Sequence, residues 1–463
     1  MPDCFSLGVA APGELAFFDL TPPPLRTGGA VLRTLYSGLS TGTELAYVKG
    51  TDPGFTSRRD SDLGVFVPGE GSRRYPVTTM GYMEVAQVVE SRRADLPEGT
   101  LVAAAYGHRS CHVVTESDFV VPVPPDVDPV LAVYLAQMGP ICANGLLHAA
   151  AEFGGTSADT LGAGVRGRTV LVTGAGVVGL LTAMFAVHHG AGDVAVADPD
   201  PRRLSAAAGL GVETVDERTV ETWRWCKERW PHGPGDRGPD MVFQCRGRPA
   251  VLHEALRSLR PQGVVIDLAF YQAGAPELRL GEEFHHNGLA IRCAQIARVP
   301  RGLAGTWNRR RLADETAQLL AARGDAVRRH VVTDVVPVRE APAVVAELAR
   351  RERSALQVVF AYDEPAPWPD GFAPGHSGTD APPTGGGDLE EGCDGRDASG
   401  STGATAGLLP HPVELSRRPC PPAGRRASRL RAGEHRPGAA PASRRQRVLP
   451  RPRRAVESAG RAG

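Results

Sequence analysis

The sequence predicts an α/β protein: a Rossmann-type doubly wound parallel sheet joined to a β-rich domain. Three observations predict it. Residues 1 to about 145 carry short alternating segments punctuated by Pro and Gly. From about 146 to 296, apolar strands alternate with helical stretches. At the join of the first such strand and helix stands Gly174-Ala175-Gly176-Val177-Val178-Gly179.

In the first region, Ala30–Tyr36 and Val85–Glu90 alternate like half-buried strands. Thr21-Pro22-Pro23-Pro24 and Gly69-Glu70-Gly71 separate such segments. Asp52–Tyr75 reads as a polar surface loop or, alternatively, a substrate lid. Gly154–Gly167 reads as a flexible joint or an inserted loop. Strands are expected at Thr169–Thr173, Val194–Asp198, Met241–Gln244 and Gly263–Leu268, with helices over Leu180–His189, Arg202–Gly209 and Ala250–Leu259. After Tyr362 the apolar periodicity ends. Residues 363–463, rich in Pro, Gly and Arg, have too little apolar surface to offset chain entropy, which predicts a disordered tail.

The 463 residues carry no formal net charge, so nothing in the whole molecule favours nucleic acid or an anionic membrane. The Arg-rich end of the tail is the exception, yet it has no aromatic residue to stack on bases, and a solvated tail is expected. Lys49 and Lys227 are the only lysines, which suggests a GC-rich coding sequence. The eight cysteines form no C-x-x-C pair and read as reduced thiols of a cytoplasmic protein. Met1–Ala11 lacks the pattern of a secretory signal. Thr169–Val187 is long and apolar, but its glycines divide it into strand, turn and buried helix rather than a membrane span.

The glycine loop has the context its chemistry needs. Gly174 permits the tight turn, Gly176 lets the backbone approach a pyrophosphate, and Gly179 allows helix and strand to pack closely. The helix starting at Val177 and Val178 offers free N–H groups and a partial positive charge to the phosphates. About 20 residues on, Val194–Asp198 ends a second strand in a carboxylate that can accept from the adenosine ribose hydroxyls. Asp198 would repel a 2′-phosphate, so NAD is expected over NADP, though Arg202 and Arg203 lie near. The alternatives are a ligand-free glycine turn and the similar turn of a methyltransferase.

On this loop, on Tyr36-Ser37-Gly38-Leu39-Ser40-Thr41-Gly42-Thr43-Glu44, Met80-Gly81-Tyr82-Met83-Glu84 and Gly281–Asn287, the chain resembles the medium-chain dehydrogenase/reductase superfamily over about residues 5–362. The S-G-x-S-x-G-T-E stretch is similar to the bacteriochlorophyllide dehydrogenase branch. The resemblance implies a GroES-like domain over 1–145, a Rossmann domain over 146–296, and a return to the first domain over 297–362. It also implies a small-molecule substrate in the cleft between them and a homodimer through the edge strand near Leu289–Ala294. Phe270 would approach the nicotinamide, Ala294 and Ile296 would offer backbone bonds to its carboxamide, and Cys245 and Arg246 would line the cofactor cleft. His285 and His286 serve catalysis or, alternatively, cap and solvate the segment.

Zinc-type members carry Cys where Ser40 stands and His where Tyr82 stands, with a third ligand near Gln137–Gly139. Neither a serine nor a tyrosine is a usual zinc ligand, and the four-cysteine structural lobe is missing, so no zinc is expected. Cys142, His108, His112 and His148 offer an improvised metal site as an alternative. Hydride transfer still requires a proton donor or acceptor: Ser40, Thr43 and Tyr82 are the candidates, with Glu44 to orient them. Tyr82 would need a nearby cation or dipole to act as a base at neutral pH. Equally, Ser40 and Thr43 bond only the backbone and Tyr82 only packs. The expected function is zinc-independent NAD-linked oxidoreduction of a secondary alcohol, carbonyl or activated alkene, in secondary metabolism. The alternative is a cofactor-binding relative that has lost its chemistry and serves as a sensor.

Overall fold

The computed structural model describes residues 4–362 other than 70 and 273, and the predicted tail of 363–463 lies outside the described residues. The N-terminal half opens with a hairpin of β1 (Phe5–Ala11) and β2 (Glu14–Asp19), then β3 (Ala30–Gly38) and helix α1 (Thr41–Lys49). A hairpin of β4 (Ser57–Asp60) and β5 (Val65–Pro68) follows, then β6 (Glu84–Ser91), β7 (Leu101–Ala104), β8 (Cys111–Val114) and β9 (Val120–Pro122). Asp52–Tyr75 is therefore a surface segment, as expected, but a structured one. Its hairpin leaves Leu63 and Phe66 in solvent, and Tyr75 ties its end to the Tyr47 carbonyl.

Next come α2 (Met138–Gly154), α3 (Gly162–Val165), β10 (Thr169–Thr173), α4 (Val177–His188), β11 (Asp193–Asp198), α5 (Pro201–Gly209), β12 (Glu213–Asp216) and α6 (Thr222–Arg229). A small hairpin, β13 (Pro231–Gly233) with β14 (Asp236–Arg237), precedes β15 (Met241–Gln244), α7 (Pro249–Ser258), β16 (Val264–Asp267), α8 (Glu283–His286) and β17 (Ala290–Cys293). The order β12-β11-β10-β15-β16-β17, all parallel, is that of a doubly wound dinucleotide-binding sheet. Strand alternation builds both faces. Val170 and Val172 join the core with α2 and α4, while Leu171 between them joins the one with α6 and α7. Among the described residues no helix is long and apolar enough to cross a membrane.

The chain ends in α9 (Arg309–His330), β18 (Val332–Pro337), α10 (Ala341–Arg350) and β19 (Gln357–Ala361). Strand β19 pairs antiparallel with β3, so the last strands complete the N-terminal sheet, ordered β18-β19-β3-β6-β7-β9 with β8 also on β3. Helix α9 lies on α2 so closely that a Cβ on Gly139 would meet the Thr316 side chain.

Two expectations need correcting. Gly154–Gly167 is no free joint: Leu161 and Val165 are fully buried, and α3 presses on α2 until a Cβ on Gly164 would lie 2.4 Å from the Ala150 nitrogen. Its few apolar residues suffice to anchor it. Nor are all the described cysteines reduced. Residues Phe5 and Ser110 exchange backbone and side-chain bonds, which brings Cys4 beside Cys111, Cα to Cα 5.9 Å, where a disulfide joins them. Cys142, Cys226, Cys245 and Cys293 are free thiols.

Candidate active site

Two groups of residues come together, one at the C-terminal edge of the parallel sheet and one at the start of α1. At the sheet edge, Gly174 turns with φ +99°, a conformation that side chains resist. Gly179 sits so tightly under it that a Cβ would lie 1.8 Å from the Gly174 oxygen. Helix α4 therefore begins directly beyond β10, with Gly176 as N-cap and the N–H groups of Val177, Val178 and Gly179 in its first turn. Asp198, buried at the end of β11, accepts from the Ala175 amide at 2.9 Å and the Asp200 amide at 2.8 Å. It thus braces the glycine loop, and each oxygen keeps a lone pair for a ribose hydroxyl.

Across the switch point, Cys245 donates its amide to the Thr173 carbonyl, and Arg246 stands against Gly174 with its guanidinium on Glu217 at 2.8 Å. Burial raises the Cys245 thiol well above its usual range. Phe270 follows β16 with its ring half in solvent and its carbonyl against Gly247. Beside it, Asp267 accepts from Tyr271 at 3.0 Å, and burial pushes its carboxyl up to about 6, against the Ala269 amide and the Tyr271 hydroxyl. The backbone of Ala294 is already engaged: its N–H donates to Asp267 and its carbonyl accepts from Asn144 at 3.4 Å. Asn144 lies closer to the next carbonyl, that of Gln295, at 3.0 Å. Ile296 is buried beside it.

At the second group, Ser40 is the N-cap of α1, but its hydroxyl makes no capping bond. Glu44, four residues on, reaches back instead and accepts the Ser40 amide at 2.7 Å. Ser40 Oγ is thereby released to bond Tyr82 Oη at 2.5 Å, with the Thr43 side chain close to the phenol. All four sequence candidates, Ser40, Thr43, Glu44 and Tyr82, thus converge. The stretch after Tyr36 passes from strand β3 into helix α1, which places Ser40 and Thr43 at the helix start. Burial pushes the Tyr82 phenol up to about 12, the bonds to Ser40 and Thr43 pull the other way, and Glu44 adds to the rise. A phenol so placed holds its proton at neutral pH and is fitted to donate it.

Sequence reasoning missed what lies beneath. Glu44 and His108 are completely buried and bonded, Oε2 to Nε2, at 2.8 Å. His108 Nδ1 meets Ser37 Oγ at 2.7 Å, and Ser37 meets the Tyr362 hydroxyl at 3.2 Å. One assignment satisfies every atom: Tyr362 donates to Ser37, Ser37 to Nδ1, Nε2–H to Glu44, and the Ser40 N–H to the other Glu44 oxygen. Nearby, buried Glu84 accepts from Thr34 at 2.5 Å while its second oxygen has no partner. Burial pushes its carboxyl up to about 8, opposed by Thr34 and Arg109. Ser37, Glu44 and Glu84 stood within the stretches that carry the resemblance, whereas His108 was read only as a metal donor.

The donors do not fit a zinc ion. Ser40 and Tyr82 are hydroxyls engaged with one another, and Gln137, near the third expected position, accepts from the Arg309 guanidinium. A cation held at that position opposes a second one. The improvised set is also dispersed and needs correcting: His108 is on Glu44, His112 stacks near Tyr106, His148 bonds the Arg298 carbonyl, and burial raises Cys142 to about 12. Among the described residues one metal-capable group converges elsewhere, His253 with Glu282 and Glu283. His285 and His286 are exposed on α8.

A family model for zinc-binding dehydrogenases matches residues 177–301. Sorbitol dehydrogenase of Bacillus subtilis is 35% identical over 98 residues, 21% of this chain and 27% of that one. L-threonine 3-dehydrogenase of Pyrococcus horikoshii is 34% identical over 118 residues, 25% of this chain and 33% of that one. The chain thus aligns with a third or less of the length of these relatives. Among solved structures, an alcohol dehydrogenase from Thermus sp. ATN1 superposes with TM-score 0.58 at 22% identity, over 77% of this chain and 99% of its own. A zinc-binding dehydrogenase from Sinorhizobium meliloti bound to NADP superposes with TM-score 0.57 at 19% identity, over the same shares. These two share the fold.

Proposed function

We propose that this chain, which belongs to the medium-chain dehydrogenase/reductase superfamily, is an oxidoreductase that moves hydride between a nicotinamide dinucleotide and a secondary alcohol or its carbonyl, without zinc. The observation that carries the proposal is the Ser40–Thr43–Tyr82 hydroxyl cluster over buried Glu44, standing where zinc-type members hold metal donors.

The glycine loop and the start of α4 hold the pyrophosphate, and Asp198 accepts from the adenosine ribose, so NAD is the favoured dinucleotide. The bound nicotinamide supplies the hydride. Tyr82 donates a proton to the substrate oxygen as it gains charge and recovers it through Ser40 or Thr43. Glu44, fixed by His108, holds the start of α1 so that both hydroxyls stay on the phenol. The reading extends to a homodimer across the exposed edge strand β17, to a cytoplasmic location, and to a role in secondary metabolism.

Chelator-treated protein should oxidise NADH with part of a panel of ketones, aldehydes and enones, and Tyr82→Phe should remove that turnover while NADH still binds. NADH binding without turnover on any member would favour a non-catalytic sensor instead. Turnover restored only by added zinc would refute the metal-free reading.

A further inference from the structure

The stretch Gly281–Asn287 takes no part in the site described above, yet it carries two adjacent carboxylates. Glu282 is the N-cap of α8 and Glu283 its first residue. Helix α8 packs beside α7, whose His253 offers an imidazole there. His253, Glu282 and Glu283 each bring one donor atom to within 4.8 Å of the other two. Two of these residues have an atom shut off from water and left without a bond, His253 Nδ1 and Glu283 Oε2. Buried polar atoms without a partner call for an occupant that the chain itself does not supply. The nearby cations do not fill the role. Arg257 holds Glu254 at 2.8 Å and reaches Glu283 only at 3.7 Å, on its other oxygen. Arg279 meets Glu282 at 3.5 Å with both side chains more than half exposed, a contact of little strength. Lys227 turns to the carbonyls of Arg237 and Leu259.

We propose that His253, Glu282 and Glu283 bind a divalent metal ion of the zinc class. One imidazole nitrogen and two carboxylate oxygens are a donor set that zinc accepts, with water completing the shell from the open side. The ion ties α7 to α8, three residues ahead of β17, so its role is to fix the approach to that edge strand. The site shares no residue with the Ser40–Tyr82 cluster and needs no turnover, so it stands or falls apart from the hydride-transfer reading. With only three protein ligands, one of them on half-exposed Glu282, the ion exchanges, and chain purified without added metal carries little of it.

The test titrates zinc chloride by calorimetry into the full chain after chelator treatment and desalting. His253→Ala and Glu283→Gln should each weaken zinc binding about tenfold or more. His285→Ala, which removes an exposed histidine of the same helix, should leave it within about twofold. Zinc should also raise the melting temperature of the unaltered chain and not that of His253→Ala, the two melting alike without metal. Absence of binding would overturn the proposal. So would binding undiminished in His253→Ala and Glu283→Gln, or lost equally in His285→Ala, since either marks an adventitious ion only. Zinc lost on Ser40→Ala or Tyr82→Phe but kept in His253→Ala would overturn it as well, and would separately refute the metal-free reading.

Discussion

At the edge of the parallel sheet the working groups are main-chain amides, whereas at the start of α1 they are side-chain hydroxyls. The glycine loop acts through backbone direction: Gly174 and Gly179 fit because they lack side chains, and Asp198 serves it by bonding amides. The hydroxyl cluster acts through side chains drawn from β3, α1 and the run into β6, held by a buried carboxylate and histidine. A backbone site tolerates sequence change wherever glycine geometry survives. A side-chain site changes its chemistry with a single substitution, and this chain has a hydroxyl pair where relatives are expected to hold a metal.

The difference can be broken from either side. From the sheet edge it is broken by Gly179→Ala, whose Cβ would collide with the Gly174 carbonyl. NADH affinity, followed by fluorescence titration, should fall about 100-fold or more, at least 2.7 kcal/mol. Tyr82→Phe should lower turnover by about 10²–10⁴ and leave NADH affinity within about twofold. If affinity fell with it, the two regions would not be separable. His108→Ala leaves Glu44 buried without its partner and should cost about 3–5 kcal/mol in urea unfolding, with His108→Gln recovering part.

The contrast is sharpened by pH. Glu84 is raised from the usual 4.5 to about 8 by burial. The folded chain therefore keeps a proton that the unfolded chain releases between those values. Its stabilising contribution is full below about 4.5 and is lost as pH rises to about 8. Stability should decline across that window by on the order of 1 kcal/mol per pH unit, and Glu84→Gln should flatten the slope. An unchanged slope in that variant would place the titrating group elsewhere.

How much of this was legible follows the same division. Strand-to-helix punctuation and continuous apolar runs placed β10, β15, β16 and α5 within a residue or so, because the parallel sheet is buried on both faces and its segments are locally marked. The short edge strand β12, α6, and the long helix α9 with its polar face went unread. Ser40, Thr43, Glu44 and Tyr82 were picked out by resemblance, and their joining is a tertiary fact: Tyr82 lies 42 residues from Ser40. His108 was read only as a metal donor, and Arg309 had no local signal. Each acts across 64 residues or more, His108 on Glu44 and Ser37 and Arg309 on Gln137 and the Ala136 carbonyl, partners that sequence spacing does not reveal. The disulfide likewise spans 107 residues.

A hydroxyl site in place of a metal is a claim about composition that needs no substrate. Zinc content should be measured on chain purified without chelator, together with the stoichiometry of NADH binding. The expected result is about one dinucleotide per chain and zinc far below one per chain, unaltered by Ser40→Ala or Tyr82→Phe. One zinc per chain, lost on either substitution, would contradict it.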